Sequence, residues 1–404
     1  MFGVINAMLR RVGIDISKYR RIHPGEVIYI IKKIFPPSEP RLAVKRMQNL
    51  IATFIKWRYG FTMPNYEIKP IIVVIETVRG CNLNCVMCGA GDLKLRMISF
   101  EQFKKITEEF PEAFINILNF IGEPFLSKDI IKMIQHSQKK ALPILFSNLT
   151  ILPNPEELIS SGLFELNASI DSFDKQKYDF IRKSGDLKRM LKEIGFNEKR
   201  FEIRDRKRGD RIKLEENKVD GTQSDTLERV VKNLKTLIHT KNKLKRHLPI
   251  ISINSVYAKE TREDAEDIIK NAIELGVDRV KFQKLEFDVP GKLHMPDIND
   301  LHYLLGLKEK YKHQIEIILA NFETGSEIKG YCFHAHFMVV IDIFGNILPC
   351  CLSPTFENIE LSRFGDIKYK ENIEKALKRR QIFINDFRRN PPEFCRKCYL
   401  YIRS

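Results

Sequence analysis

The sequence predicts an α/β protein whose main part is an incomplete (β/α)6 TIM-like barrel, followed by a small α+β domain. Between residues 70 and 285, short β-branched runs alternate with amphipathic helical segments, which is typical of βα units and a parallel sheet. Six units can be counted, two fewer than a closed barrel has, so we expect an open barrel with its chemistry at the carboxyl ends of the strands. The predicted strands are 71–76, 115–120, 143–147, 165–171, 250–256 and 277–285, and the helices between them include 100–110 and 264–275.

The composition is that of an ordinary globular protein. With 404 residues the chain has room for two or three domains, which excludes a peptide hormone or a small disulfide scaffold. Its 68 Lys and Arg residues against 52 Asp and Glu residues give a net charge of +16, which favours acidic partners such as phosphates, nucleic acid or anionic lipid. No apolar run approaches the roughly 18 residues of a spanning helix, and the N-terminus does not have the pattern of a secretory signal. We therefore expect a cytoplasmic protein.

Residues 1–69 are interpreted as a basic, helical N-terminal extension. The first 70 residues carry 13 Lys and Arg residues against 4 Asp and Glu residues. Apolar residues recur at helical spacing at Met47, Leu50, Ile51, Phe54 and Ile55, beside Trp57. Basic residues flank this stripe at Lys45, Arg46, Lys56 and Arg58. Two interpretations remain open, namely a helix packed on the following domain and a helix lying on an anionic membrane surface.

The rest of the chain divides into a barrel domain, 70–285, and a second domain, 286–404. Residues 190–224 form a charged insertion in the barrel, because residues 196–220 alone include 16 charged side chains and cannot bury a core. We expect a solvated loop there, with a binding arm as the alternative. In the second domain, two short strands around 339–343 and 346–348 are turned at Phe344 and Gly345.

Three cysteines, Cys81, Cys85 and Cys88, lie directly after the first predicted strand in the sequence GCNLNCVMCG. A structural zinc site usually has four ligands in two CxxC hooks, and no nearby Cys or His completes this group. Three thiols therefore favour an iron–sulfur cluster with one iron left open. The alternative, cysteines that only pack, is disfavoured by the polar neighbours Asn82 and Asn84.

This CxxxCxxC spacing resembles the signature of the radical S-adenosylmethionine (SAM) superfamily. The resemblance implies that Cys81, Cys85 and Cys88 hold a 4Fe–4S cluster whose open iron binds SAM. It further implies that one-electron reduction cleaves SAM to a 5′-deoxyadenosyl radical, which abstracts a hydrogen atom from a substrate. A reducing partner such as ferredoxin or flavodoxin is implied as well.

Further motifs follow in the family's chain order and imply residues that contact SAM. Gly122, Glu123 and Pro124 resemble the glycine-rich motif after the second strand, whose backbone binds the methionyl amine. Arg182 matches an arginine that often pairs with the methionyl carboxylate, a geometry that suits a guanidinium fork. The other implied contacts follow the third and fourth strands, at Ser147, Asn148, Ser169 and Asp171.

Five more cysteines lie in the second domain. A CxxC hook with two remote thiols suits structural zinc and a fully ligated iron–sulfur cluster about equally. The pattern resembles a SPASM or twitch domain with one auxiliary 4Fe–4S cluster, and this resemblance implies the ligands Cys332, Cys350, Cys395 and Cys398. Cys351 is then expected to be a small packed residue. His334 and His336 lie in a strand-like alternation and are expected to be polar strand residues rather than ligands.

We therefore expect an enzyme that cleaves SAM reductively and modifies a peptide, a sugar or a lipid-linked substrate by oxidation. The auxiliary cluster would accept the electron that the substrate radical releases. The alternative hypotheses are a noncatalytic electron carrier with two clusters and a zinc-stabilised nucleic-acid-binding protein. An open iron argues against the carrier, and the basic charge comes without a nucleic-acid-reading motif.

Overall fold

The computed structural model describes residues 24–61, 66–183, 226–286, 288–320, 322, 332–350, 363–387, 389–392 and 395. The strands are β1 (Ile72–Ile75), β2 (Val78–Arg79), β3 (Arg96–Met97), β4 (Ile115–Ile117), β5 (Leu142–Ser147), β6 (Glu165–Ser169), β7 (Ile250–Tyr257), β8 (Arg279–Lys284), β9 (Glu316–Ala320), β10 (Met338–Ile341), β11 (Asn346–Leu348) and β12 (Gly365–Asp366). The helices are α1 (Pro24–Ile34), α2 (Pro40–Tyr59), α3 (Phe100–Glu108), α4 (Ile130–Ser137), α5 (Pro155–Ser160), α6 (Lys175–Ile181), α7 (Thr226–Lys243), α8 (Asp264–Leu275), α9 (Ile298–Lys310), α10 (Phe333–Phe337) and α11 (Lys370–Asp386). The charged insertion, Cys351 and Cys398 lie outside the described residues.

One ten-stranded sheet organises the chain, in the order β12-β11-β10-β1-β4-β5-β6-β7-β8-β9. All neighbours from β10 to β9 run parallel, whereas β11 and β12 are added antiparallel. The six predicted strands are β1 and β4 to β8, so the α/β class and the open barrel are confirmed. The sheet also continues past them, because β9 joins β8 and β10 joins β1.

The outer face of the sheet packs on the connecting helices. Phe103 of α3, Met133 of α4 and Ile269 of α8 share one apolar core with strand residues such as Leu145 and Ile253. These strand residues are β-branched or aliphatic and point to one side because side chains alternate along a strand. This packing fixes the carboxyl ends of β1 and β4 to β7 relative to each other.

The opposite face is covered over β10, β1, β4 and β5 by the N-terminal helices. Ile72, Val74 and Ile144 pack with Leu50 and Trp57 of α2 in a second apolar core. The helix therefore packs on the sheet, as one of the two interpretations of this segment requires. Among the described residues no helix is long and apolar enough to cross a membrane.

The buried face of α2 differs in part from the predicted apolar stripe. Arg46 is 1% exposed, and its Nε and Nη2 donate to the carbonyl of Pro111 at 3.0 and 2.8 Å. Its Nη2 also donates to the carbonyl of Ala113 at 2.8 Å. Ile51, which the periodicity placed in the stripe, is 44% exposed.

The same face of the sheet becomes polar at β6 to β8. Glu165 Oε1 lies 2.7 Å from Lys281 Nζ and accepts a hydrogen bond from Ser252 Oγ at 2.7 Å, while Arg279 Nη1 lies 3.6 Å away. Burial tends to raise the pKa of Glu165, but the two cations outweigh it and the pKa is lowered. Fully buried ions are tolerated here because they compensate one another.

In the C-terminal part, β10 and β11 form the predicted hairpin. Asp342 Oδ1 accepts from the backbone N–H groups of Phe344 and Asn346, and Gly345 has the positive φ, 81°, that this turn requires. The strand-like alternation assigned to His334 and His336 is wrong, because both residues lie in the short helix α10. The carbonyl of Cys332, just before this helix, is bound by His336.

Candidate active site

The three-cysteine loop begins after β2 and is held against the loop that follows β4. The N–H of Gly80 donates to the carbonyl of Ile121 at 3.2 Å, and the N–H of Glu123 donates to the carbonyl of Gly80 at 3.1 Å. A Cβ at Gly122 would stand 2.4 Å from the carbonyl oxygen of Val78. A glycine is therefore required where the second motif crosses the cysteine loop.

The other side of the cysteine loop is bound to the end of α6. The N–H of Asn84 donates to the carbonyl of Lys183 at 2.7 Å, and the N–H of Val86 donates to the carbonyl of Ile181 at 2.9 Å. The loop is thus fixed between the carboxyl end of β4 and the segment after β6. Cys81 and Cys85 are half-buried there, and Cys88 is exposed.

An amide network joins the cysteine loop to the loop after β5. Asn148 Nδ2 lies 3.4 Å from Cys81 Sγ and 3.0 Å from Asn82 Oδ1. Asn82 Nδ2 donates to Thr150 Oγ1 at 2.7 Å, and that hydroxyl donates to Asn148 Oδ1 at 2.7 Å. Leu83 directs its N–H at Cys81 Sγ from 3.4 Å. These N–H donors favour a thiolate at position 81.

Glu123 is buried and joins the loops after β4 and β5. Its Oε1 accepts from Ser147 Oγ at 2.7 Å and from the N–H of Phe125 at 3.0 Å, while its Oε2 accepts from the N–H of Asn148 at 2.8 Å. Burial raises the pKa of Glu123 to about 7, although these hydrogen bonds and Arg182 partly oppose the increase. The ionised carboxylate therefore lacks full compensation, and a cation beside it would be stabilised.

Asp171 and Arg182 form a buried ion pair after β6. Arg182 Nε lies 2.7 Å from Asp171 Oδ2, and the N–H of Val256 donates to Asp171 Oδ1 at 2.8 Å. Burial would lower the pKa of Arg182, but the charges of Asp171 and the nearby Cys85 outweigh it and the pKa is raised. The pair orients the guanidinium beside the cysteine loop.

Without a bound metal centre, the surroundings of Cys81 and Cys85 disfavour the ionised thiolate. Burial raises the pKa of Cys81 to about 12, and the carboxylate of Glu123 adds to this increase. Burial raises the pKa of Cys85 as well, although Arg182 opposes it. A cationic cluster would supply the missing compensation, because metal binding displaces thiol protons.

Thiols are the donor type that an iron–sulfur cluster takes. Among the described residues, no three His, Cys, Asp or Glu side chains converge closely enough to hold one metal ion. In a 4Fe–4S cluster each thiolate binds a different iron, so the three sulfur atoms stand apart. Cys81, Cys85 and Cys88 would supply three such thiolates from one loop.

The structure brings most of the predicted SAM-contact residues together around the cysteine loop. Pro124 is buried and begins a short 3-10 turn, 124–126, that positions the Glu123 carboxylate. Ser169 is half-buried at the end of β6, paired in register with Asn254. The network partners Asn82 and Thr150 were not predicted as site residues, and only their polarity within a loop signals them.

The C-terminal cysteines are partly within the described residues. Cys332 and Cys395 are both buried and share an apolar cluster with Phe387, although 63 positions separate them in the chain. Cys350 follows β11 and is half-buried. His336 is buried, and its pKa is lowered to about 4 by burial, so its ring is neutral and bound to the Cys332 carbonyl at 2.8 Å.

Two family matches cover the regions that contain the cysteines. Residues 75–195 match the radical SAM superfamily, and residues 332–399 match SPASM, an iron–sulfur cluster-binding domain. The second match decides between zinc and iron–sulfur at the C-terminal cysteines in favour of iron–sulfur.

Curated relatives resemble only the first part of the barrel. The GTP 3′,8-cyclase of Clostridium botulinum is 29% identical over 124 residues, which are 28% of this chain and 39% of the relative. A probable GTP 3′,8-cyclase of Archaeoglobus fulgidus is 28% identical over 144 residues, 35% of this chain and 46% of the relative. The chain thus spans less than half the length of the curated relatives that it matches here.

Solved structures resemble more of the chain at low identity. Streptococcus suis SuiB bound to S-adenosylmethionine has a TM-score of 0.59 and 13% identity, over 91% of this chain and 82% of that one. The structure of anSMEcpe with bound AdoMet has a TM-score of 0.52 and 17% identity, over 81% of this chain and 86% of that one. At this identity the likeness shows a shared fold.

Proposed function

Since the chain belongs to the radical SAM superfamily and carries a C-terminal SPASM domain, we propose that it is an enzyme that cleaves SAM reductively and abstracts a substrate hydrogen atom. One observation carries the proposal. The cysteine loop is held by the segments that follow successive parallel strands. Asn148 Nδ2 approaches Cys81 Sγ, and the N–H of Glu123 donates to the carbonyl of Gly80. The N–H groups of Asn84 and Val86 donate to carbonyls at the end of α6. A loop that is fixed at the carboxyl ends of the strands can hold a bound ligand in a defined position at the mouth of the barrel.

A radical SAM domain carries a 4Fe–4S cluster and SAM. In this chain Cys81, Cys85 and Cys88 would hold the cluster, with the fourth iron left for SAM. When bound, the cluster would supply the one electron for reductive cleavage of SAM. Asn148 and the backbone N–H of Leu83 stabilise the thiolate of Cys81 by donating to its sulfur.

The remaining residues of the site would bind and orient SAM. Glu123 would accept the methionyl amine, whose positive charge stabilises the ionised carboxylate. Arg182 donates to Asp171 through Nε, its one hydrogen bond to that carboxylate among the described residues. The Nη atoms of Arg182 would pair with the methionyl carboxylate. Gly122, Pro124, Ser147, Ser169 and Asp171 would contact SAM through the backbone or position these groups.

The SPASM domain carries an auxiliary iron–sulfur centre. Its proposed ligands are Cys332, Cys350, Cys395 and Cys398, four thiols that would leave no iron open. The shared burial of Cys332 and Cys395 supports the set within the described part of the chain. A fully ligated centre suits electron transfer, so the proposed reaction is an oxidation of the substrate radical.

A peptide is the proposed substrate class. SuiB has a crystal structure bound to its precursor peptide SuiA, and anSMEcpe has a structure with bound AdoMet and a Kp18Cys peptide. Both proteins share the fold over most of this chain. Sugar and lipid-linked substrates are the alternative classes.

A membrane surface is a proposed second partner, for a cytoplasmic protein that binds it peripherally. The outward faces of α1 and α2 expose Ile28, Ile31, Val44 and Ile51, each by 44–56%. Basic residues adjoin them at Lys32, Arg41, Lys45 and Arg58. Exposed apolar residues among cations are what an anionic lipid surface binds.

The proposed chemistry is tested without knowledge of the substrate. Anaerobically reconstituted protein should contain about eight irons, and dithionite with SAM should yield 5′-deoxyadenosine. The Cys85→Ala variant should lose about four irons and all 5′-deoxyadenosine, because the first cluster loses a ligand while the second keeps its own. Fully loaded wild-type protein that forms no 5′-deoxyadenosine, or a Cys85→Ala variant that still forms it, would contradict the proposal.

A further inference from the structure

An exposed cationic surface surrounds the turn of the β10–β11 hairpin. Phe344, at this turn, is 58% exposed. The guanidinium carbons of Arg79 and Arg96 lie 4.9 and 5.3 Å from the centre of its ring. Lys94 and Arg363 are exposed beside them, and Arg363 reaches Asn346 in the same hairpin. We call these five residues, Arg79, Lys94, Arg96, Phe344 and Arg363, the Phe344 surface.

Part of the positive charge of this surface, that of Lys94 and Arg96, is uncompensated. Arg79 and Arg96 stand opposite each other in the β2–β3 ribbon, where like charges repel. Arg79 is neutralised by the buried Glu76, which it binds through two hydrogen bonds of 2.8 and 2.7 Å. Within the described parts of the chain, Arg96 and Lys94 make no ion pair.

The acidic groups around this surface act on Arg79 and Arg363 but leave Arg96 and Lys94 without an acidic partner in the described residues. Glu76 is already used by Arg79, and Asp342 is buried in the hairpin turn. Asp92 is exposed and accepts from Asn84, and Asp366, half-buried, accepts from Asn372. No acidic side chain in the described residues bonds to Arg96, so its guanidinium depends on the Phe344 ring and on solvent.

The surface lies where electrons would enter the proposed site. Arg79 precedes Cys81 by two residues, at most about 7 Å of extended chain. Phe344 precedes Cys350 by six residues, across β11. The cysteine loop is itself accessible from outside, since Cys88 is exposed. Because β11 runs back from the turn, Cys350 lies at the other end of the hairpin, so a protein seated on Phe344 would border the cysteine loop.

We propose that the Phe344 surface docks an acidic one-electron donor protein, a small flavin or iron–sulfur carrier. This inference rests on the proposed function, which needs one electron for each SAM cleaved. In the docked pair, one electron leaves the carrier, which is oxidised by one electron, and enters the cluster, which is reduced by one electron. No bond is formed or broken between the two proteins.

The chemistry of the surface suits such a partner. Electron-transfer encounters are brief and small, so they depend on electrostatic steering more than on buried area. The net charge of +16 attracts an acidic protein at long range, and the uncompensated cations select one face of the chain. The exposed Phe344 ring gives the centre of the contact an apolar anchor.

The first test is direct binding. Oxidised flavodoxin would be titrated calorimetrically into the reconstituted protein at about 20 and about 300 mM salt, a range over which screening shortens the reach of the charges. Wild-type binding should weaken with salt, and the Lys94→Glu/Arg96→Glu variant should bind at least about tenfold more weakly at low salt. The matched control, Lys232→Glu/Lys235→Glu on the exposed face of α7, makes the same change of net charge and should bind like wild type.

The second test separates docking from catalysis. With dithionite, a small reductant, wild type and both variants should form 5′-deoxyadenosine at the same rate. With reduced flavodoxin, the Lys94→Glu/Arg96→Glu variant should be at least about tenfold slower, and Phe344→Ala should be slowed as well. Equal binding by the two charge-reversed variants, or no measurable binding by wild type at low salt, would overturn the docking surface. Loss of the dithionite reaction in wild type would instead overturn the proposed function.

Discussion

At Glu123, the pKa of a single buried carboxyl group leads us to expect that SAM binding depends on pH. The pKa of about 7 results mainly from burial, which three hydrogen bonds and the charge of Arg182 offset only in part. The methionyl amine of SAM is a cation, so it should bind the ionised carboxylate and not the protonated one. A carboxyl with this pKa is about 90% ionised at pH 8 and about 10% ionised at pH 6. We therefore expect the affinity for SAM to fall about tenfold between these values.

This pH dependence can be assigned to Glu123 by substitution. The Glu123→Gln variant should bind SAM weakly at both pH values, because it retains hydrogen-bonding atoms but cannot become charged. Equilibrium dialysis with labelled SAM measures the affinity, and Glu101→Gln, an exposed residue in the first turn of α3, is the control. An unchanged tenfold dependence in Glu123→Gln would place the titrating group elsewhere, for example at the cysteine thiols.

The same residues show which features of the site sequence motifs can predict. The motifs predicted Glu123, Ser147, Asn148, Asp171 and Arg182 as SAM contacts, and the structure places these residues on the segments around the cysteine loop. They could not specify that Arg182 binds Asp171 or that Ser147 binds Glu123. The partner of a polar side chain depends on which strands become neighbours, and this is a property of the sheet order.

At the scale of one element, α2 depends on a buried arginine for its position. Arg46 donates to the carbonyls of Pro111 and Ala113, which lie in the segment before β4. Burial lowers its pKa to about 10, so it is still charged at neutral pH. Hydrogen bonds to a charged group are each worth about 1.5–3 kcal/mol, and their loss would leave buried carbonyls without donors.

We therefore expect Arg46→Ala to loosen α2. Amide hydrogen exchange over 40–59 should become at least about tenfold faster, since a loss of about 1.4 kcal/mol already gives that factor. Arg41→Ala, at an exposed position near the start of the same helix, should leave the exchange unchanged. Equal exchange in both variants would mean that Leu50 and Trp57 alone hold the helix on the sheet.

The elements differ in how well the sequence predicted them. The six strands of the barrel and α8 were predicted because their apolar periodicity is regular and local. The buried face of α2 was predicted only in part, because hydrophobicity alone does not identify an arginine as a buried residue. The pairing of β10 with β1 was not predicted, since it joins residues 72–75 with 338–341 across most of the chain.

On the scale of the whole molecule, the two faces of the sheet are covered differently. The connecting helices cover the outer face. On the inner face, α1 and α2 cover β10, β1, β4 and β5. The polar network around Glu165 lies on the inner face of β6 to β8. The sequence predicted the open barrel but not this network, because isolated charges in strands look like surface residues. The outward faces of α1 and α2 are the sides of these helices that do not pack on the sheet.

These outward faces lead to the last prediction, binding to anionic membranes. Vesicles of phosphatidylcholine with phosphatidylglycerol should sediment the protein, whereas phosphatidylcholine alone should not, because the cations of α1 and α2 need anionic headgroups. Ile28→Ser/Ile31→Ser should reduce partitioning about thirtyfold, since burying each half-exposed isoleucine in the lipid interface contributes roughly 1 kcal/mol. Leu305→Ser/Ile382→Ser, which changes residues 42% and 62% exposed on α9 and α11, is the control and should sediment like wild type. If both double variants lose vesicle binding equally, the binding is nonspecific hydrophobic adsorption. If both still bind the vesicles, the exposed isoleucines do not contact the membrane, and the basic N-terminal helices serve another partner.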